Sequence, residues 1–188
     1  MTGPAAPPSA HAGDYVMDPS HSRLGFVARH TMFAKVHGQF NEFEGNGHLA
    51  PDSPADSRAH LTIQVSSLDT GNAQRDEALR SDFFAAAQFP QITFTSTAVL
   101  KIDSTHCRVQ GDLTIKGTTK PVTVEFEYTG SAKDPKGATC VGFTGTVTVN
   151  RKDWGMTWNA MLETGGLLVS DNVTLELDIA AIRLAPDG

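Results

Sequence analysis

Positive charge is in short supply in this chain of 188 residues, with 15 Lys and Arg against 21 Asp and Glu for a net charge of −6. A nucleic-acid partner is thereby excluded, because phosphates demand a basic face. Standing electrostatic attachment to anionic lipid is disfavoured too, which leaves at most transient membrane contact. Cysteine is nearly absent. Cys107 and Cys140 make no disulfide framework, and each sits near a strand pattern, so two buried reduced thiols are expected. No apolar run approaches the ~18 residues that span a bilayer, and the mean hydropathy is −0.22, as for a soluble protein. The opening residues, MTGPAAPPSAHAG, show neither the basic nor the apolar region of a secretory signal. Met1–Gly13 is therefore expected to be a disordered tail, and the protein cytoplasmic.

Chemistry-bearing motifs are also missing. Seven histidines occur, but there is no HxH, HExxH or CxxC pair and no GxSxG elbow. His21 and His30 are nine positions apart, which puts them on opposite faces of any straight strand. His21 and Ser22 are adjacent and point to opposite sides of an extended segment, so they make no dyad. No catalytic residue, metal or cofactor is expected.

What the chain does contain is alternation. In Val109–Tyr128, Val109, Gly111, Leu113 and Ile115 share one face, and Val122, Val124, Phe126 and Tyr128 another. The two runs flank Gly117–Pro121 and read as a β-hairpin with a five-residue loop. Further strands are predicted at Tyr15–Met17, Arg23–Arg29, Val36–Phe43, His60–Val65, Gln91–Leu100, Val141–Asn150 and Val173–Ile182. Strands so numerous and evenly spaced indicate an antiparallel sandwich or barrel within a single domain, residues 14–185.

Two insertions interrupt the rhythm. Thr70–Phe89 predicts a short helix with an Asp76–Arg80 pair at i,i+4, followed by the apolar cluster Leu79, Phe83 and Phe84. Arg151–Asn172 holds Trp154, Met156, Trp158, Met161, Leu167 and Leu168, and a loop this apolar must fold back on something. Arg75, Asp76, Arg151 and Lys152 either anchor these insertions or meet a ligand head group.

Glycine falls in the middle of three apolar strand faces, at Gly38, Gly111 and Gly145. It marks either a bend in a barrel wall or space for a ligand. The candidate lining comprises Phe26, Phe40, Ile63, Phe94, Leu113, Phe126, Phe143 and Val147, with Leu79, Phe83, Met156 and Trp158 nearer a mouth or flap. A one-residue slip in any strand would eject its members together.

Several ordered segments carry a resemblance: DPSHSRLGFVARH (Asp18–His30), VHGQFNEFEG (Val36–Gly45), SSLDTGNAQRDEALRSDFF (Ser66–Phe84), FPQITF (Phe89–Phe94), GDLTIKGTTKPVTV (Gly111–Val124) and RKDWG (Arg151–Gly155). They resemble the YceI-like family of polyisoprenoid-binding proteins over Tyr15–Leu184. The resemblance implies an all-β, extended lipocalin-like antiparallel β-barrel with one short helical insertion and an apolar tunnel. It implies non-enzymatic binding, storage or transport of a polyprenyl-type lipid, with a quinone or a polyprenyl phosphate as examples, and it allows a homodimer. Many family members carry a signal peptide, which this sequence does not show. The alternatives are an enzyme acting on an isoprenoid head group and a filled structural or partner-binding barrel.

Overall fold

The computed structural model describes residues 5–31, 33–159 and 169–186. The period-2 segments become strands β1 (Gly13–Met17), β2 (Arg23–His30), β3 (Ala34–Phe40), β4 (Phe43–Leu49), β5 (Arg58–Gln64), β6 (Leu68–Asp69), β7 (Gln91–Lys101), β8 (His106–Ile115), β9 (Thr118–Lys133), β10 (Thr139–Asn150) and β11 (Asn172–Arg183). The order β1-β4-β5-β7-β8-β9-β10-β11 closes through a β1–β11 pairing into an antiparallel barrel of eight strands. Closure leaves the long strands no free edge.

One side of β11 is shared. Ala181–Arg183 pair with β1, whereas Thr174–Asp178 pair with β2, which continues through β3 to β6. Between these two stretches the Ser22 hydroxyl donates to the Ala180 carbonyl and accepts from the Ala180 N–H. Asp18 N–H donates to the same carbonyl. Ser22 thus fills a structural place.

The β8–β9 connection is shorter than the predicted five residues. Thr114 pairs with Thr119 and Ile115 with Thr118, leaving a two-residue turn at Lys116 (φ 50°) and Gly117 (φ 73°). Two left-handed residues are what a type I′ turn requires. Pro121 then lies within β9, where the pairing with β10 does not reach beyond Glu125. The missing N–H costs no ladder bond on that open side.

Helix α1 (Ala73–Ala78) starts at Asn72, whose side chain accepts from Arg75 N–H, and runs into a π turn over Leu79–Phe83. The predicted Asp76–Arg80 pair does not form. Asp76 is buried and accepts from both the N–H and the hydroxyl of Thr70, and Arg80 sits 3.7 Å from Glu77 instead. The disorder expected for Met1–Gly13 does not extend to its end. Ser9–His11 form a 3-10 turn tied down by Ser9 to Asp52, Tyr15 to the His11 carbonyl, and Arg183 to the Ala10 carbonyl.

Candidate functional site

Strand registers define two barrel ends. Gln64, Gln91, Ile115, Asn150 and Asn172 gather at one, and Gly13, Leu49, Arg58, Lys101, His106, Lys133 and Thr139 at the other. The first insertion and the described parts of the second, residues 151–159 and 169–172, fold onto the first end and plug it. Trp154 is 2% exposed and its indole N–H donates to the Leu113 carbonyl at 2.9 Å. Phe83 packs on Trp158 with ring centroids 5.3 Å apart, and Phe84 meets Phe40 edge-on at 6.1 Å. Arg151, 3% exposed, fastens the plug. It donates to the carbonyls of Ser170 and Met156 and places its guanidinium 5.4 Å from the Phe83 ring centre. Burial pulls its pKa down against the opposing pull of Asp171.

Below the plug lies an apolar bore of about 330 Å³, within the range of small-molecule sites. Six of the candidate residues, Ile63, Phe94, Leu113, Phe126, Phe143 and Val147, border it, together with Leu175, Leu177 and Ile179 of β11. In a solid barrel such inward residues would be fully buried, yet Phe94, Phe126, Val147 and these three are only half-buried. The bore opens at the end where Leu49–Pro51, Arg58 and the Lys101–His106 hairpin form its rim.

The other half of the expected lining lies elsewhere. Phe26, Phe40, Leu79, Phe83 and Met156 belong to the same continuous core cluster as the bore wall but do not border the bore, and Trp158 packs on Phe83. Of the described insertion residues, Phe83, Trp154 and Met156 are buried against the plugged barrel end, as a flap folded over it would place them. Met161, Leu167 and Leu168 lie outside the described residues. The β11 residues were missed although they share the alternation of their neighbours. Tyr15, Tyr128 and Val141, buried nearer the mouth, were missed for the same reason.

The mid-strand glycines have one common reason that sequence reading did not find. A Cβ at Gly38 would stand 2.2 Å from the Phe26 ring, at Gly111 2.3 Å from the Phe94 ring, and at Gly145 2.8 Å from the Phe126 ring. Each glycine lets a phenylalanine of the adjacent strand lie against the wall and not project across the bore. For Phe94 and Phe126 the space kept open is the bore itself.

The Asp, Lys and Arg side chains among the described lining residues, Arg58, Lys101 and Asp103, stand at the rim. Asp103 accepts from the N–H groups of Thr105 and His106 and from the His106 ring at 2.9 Å. These bonds hold its pKa down at about 2, and the same pair raises that of His106. The raised His106 pKa stabilises the hairpin at pH below the free value of ~6.5 and is lost as pH rises through the folded value. The lowered Asp103 pKa contributes above ~3.8 and is lost toward about pH 2. We expect an NMR titration of His106 to give a midpoint above 6.5 that drops in Asp103→Asn; equal midpoints in the two proteins would show the pair absent in solution.

Arg75, Asp76 and Arg151 do not converge on this rim; each is engaged at the plugged end, Arg75 with Thr70. Among the described residues no group of three or more His, Cys, Asp or Glu could hold a metal ion. None of the described helices is long and apolar enough to cross a membrane. Cys107 faces the bore and Cys140 lies on β10, with β9 between them. Two strand spacings of ~4.8 Å put them beyond disulfide reach, and both are free thiols.

The family described as YceI-like domain matches residues 15–181. A UPF0312 protein of Vibrio parahaemolyticus is 37% identical over 153 residues, covering 80% of this chain and 81% of the relative. One from Shewanella baltica is 34% identical over 181 residues, covering 95% and 92%. Among solved structures, BcnA of Burkholderia cenocepacia superposes with a TM-score of 0.75 at 26% identity, over 87% of this chain and 98% of that one. A polyisoprenoid-binding domain of Saccharophagus degradans superposes with a TM-score of 0.69 at 15% identity, over 90% and 98%, which shows the common fold.

Proposed function

The chain belongs to the YceI-like family, and from that premise we propose that it binds and carries an isoprenoid or similar amphiphilic lipid without acting on it chemically. The observation that carries this reading is the bore: a closed, mainly apolar β-wall, plugged at one end, whose Asp, Lys and Arg lining side chains stand at the open rim. A tail enters it and sheds water, and the head group stays at the rim. The polyisoprenoid-binding domain that shares the fold supports the same ligand class.

Magnitudes favour a tail over a head group as the source of affinity. Each buried CH₂ contributes ~0.8 kcal/mol, so two five-carbon units give ~8 kcal/mol gross. A micromolar complex needs about −8 kcal/mol net of association and ordering costs of several kcal/mol. Three or four units therefore suffice with no polar contact. An apolar lining of this kind discriminates chain lengths weakly, so a range of tails is expected, quinones and polyprenyl phosphates included. Ile63, Phe94, Leu113, Phe126, Phe143 and Val147 are the proposed tail contacts.

Organic extraction of freshly purified protein followed by mass spectrometry tests this directly. A stoichiometric prenyl species is expected; protein that is empty and also ignores added prenyl lipid would overturn the reading. Cys107 supplies a footprint. Burial pushes its thiol pKa up, so alkylation is slow, and occupancy of the bore should slow it at least ~5-fold further while Cys140 is unaffected.

A further inference from the structure

We infer that the β2–β3 hairpin is a docking finger for an anionic lipid surface. Phe33, at its tip, is 86% exposed, the most exposed large apolar side chain among the described residues. Among the described residues it belongs to neither core cluster. Around it Arg29, His30 and Lys35 are exposed as well.

The charge pattern supplies the partner. The chain as a whole carries −6, yet from Pro19 to Asn41 it contains Arg23, Arg29 and Lys35 and not one carboxylate. This is the longest carboxylate-free stretch of the sequence, and Arg29 and Lys35 are the cations it leaves beside the tip, Arg23 being paired with Glu176. An aromatic tip flanked by cations is the composition that inserts at a bilayer interface, where the ring enters the acyl boundary and the cations meet anionic head groups. A protein partner with an acidic groove would also meet the charges, but a single projecting ring buries little area against a groove and suits a fluid surface better.

The geometry sets the orientation. Arg29 pairs with Ser170 and His30 bridges to Val169, so the finger stands at the plugged end beside Trp158, which is itself 45% exposed. Docking there turns the rim away from the bilayer and leaves it open to a soluble acceptor. With few cations and one ring, the contact is reversible, in keeping with the net charge of the whole.

The test uses full-length protein and vesicles free of isoprenoid, so that it is independent of the proposed cargo. Co-sedimentation is expected with phosphatidylglycerol/phosphatidylcholine vesicles and not with pure phosphatidylcholine, and should fade at high salt. Arg29→Glu with Lys35→Glu should weaken it at least ~10-fold, and so should Phe33→Ser. Ile102→Ser, at the opposite end, should change nothing. As a positive readout, Phe33→Trp should add emission that shifts to the blue with anionic vesicles only. No sedimentation at low salt, or variants that sediment like the parent, would overturn the proposal. So would loss caused by Ile102→Ser, or a Phe33→Ser effect seen in oligomeric state and not in vesicle binding.

Discussion

Alanine at position 111 should empty much of the bore. The new methyl would stand 2.3 Å from Cζ of Phe94 and 2.7 Å from the Thr95 carbonyl oxygen, distances no structure sustains. The ring is the softer of the two neighbours, so it swings off the wall and into the space where the lipid tail is proposed to lie. A displaced phenyl excludes about one isoprene unit, ~4 kcal/mol of gross burial. Prenyl-lipid affinity should therefore fall at least ~10-fold, with a stability loss of about 1–3 kcal/mol from the forced side chain. Pairing the change with Phe94→Leu removes the clashing ring, and the double variant should recover most of the affinity. That non-additivity is the signature to look for. Gly111→Ala protein that binds like the parent would show that the ring's place on the wall does not matter.

The second large effect concerns Arg151. Its guanidinium bonds carbonyls on both sides of the second insertion and lies over Phe83 of the first. One side chain therefore holds both parts of the plug. Arg151→Met keeps bulk and removes every one of these bonds. Two carbonyls lose charge-assisted donors in a buried site, for about 3 kcal/mol in all, or about 10 °C in melting temperature for a chain of this size. The loosened plug should also expose Trp154, now 2% accessible, to acrylamide quenching. A variant that melts within about 2 °C of the parent, with Trp154 still protected, would show that the plug is held by apolar packing alone.

The barrel was legible because alternation was clean wherever a strand has one face inward. Strand β4 was not, since EGNGH places glycines where alternation needs side chains; Gly45 instead fits beneath Met17, and Gly47 approaches the Arg58 carbonyl. The turn at Lys116-Gly117 was overlong in prediction because Thr118–Pro121 looked like loop chemistry until register placed it in the ladder. Six of the candidate lining residues stand along the bore and six do not, for one reason. Alternation says which residues face inward but not at which height along the axis the interior is filled. Phe26 and Phe126 look alike in sequence, and only the fold decides that one stands off the bore and the other borders it. The partnership of glycine and phenylalanine was out of reach for a related reason, because partners 12 to 19 positions apart meet only once register is fixed.

The fork along β11 has a mechanical meaning. A hoop of unbroken ladders stretches evenly around its girth, whereas this one changes partner at Ala180, where a lone hydroxyl from Ser22 stands in for a neighbouring strand. It is the rivet in the band. A tail too bulky for the resting bore would spread the wall there first, and the Ala180 amide should be the earliest in β11 to trade its proton for deuterium.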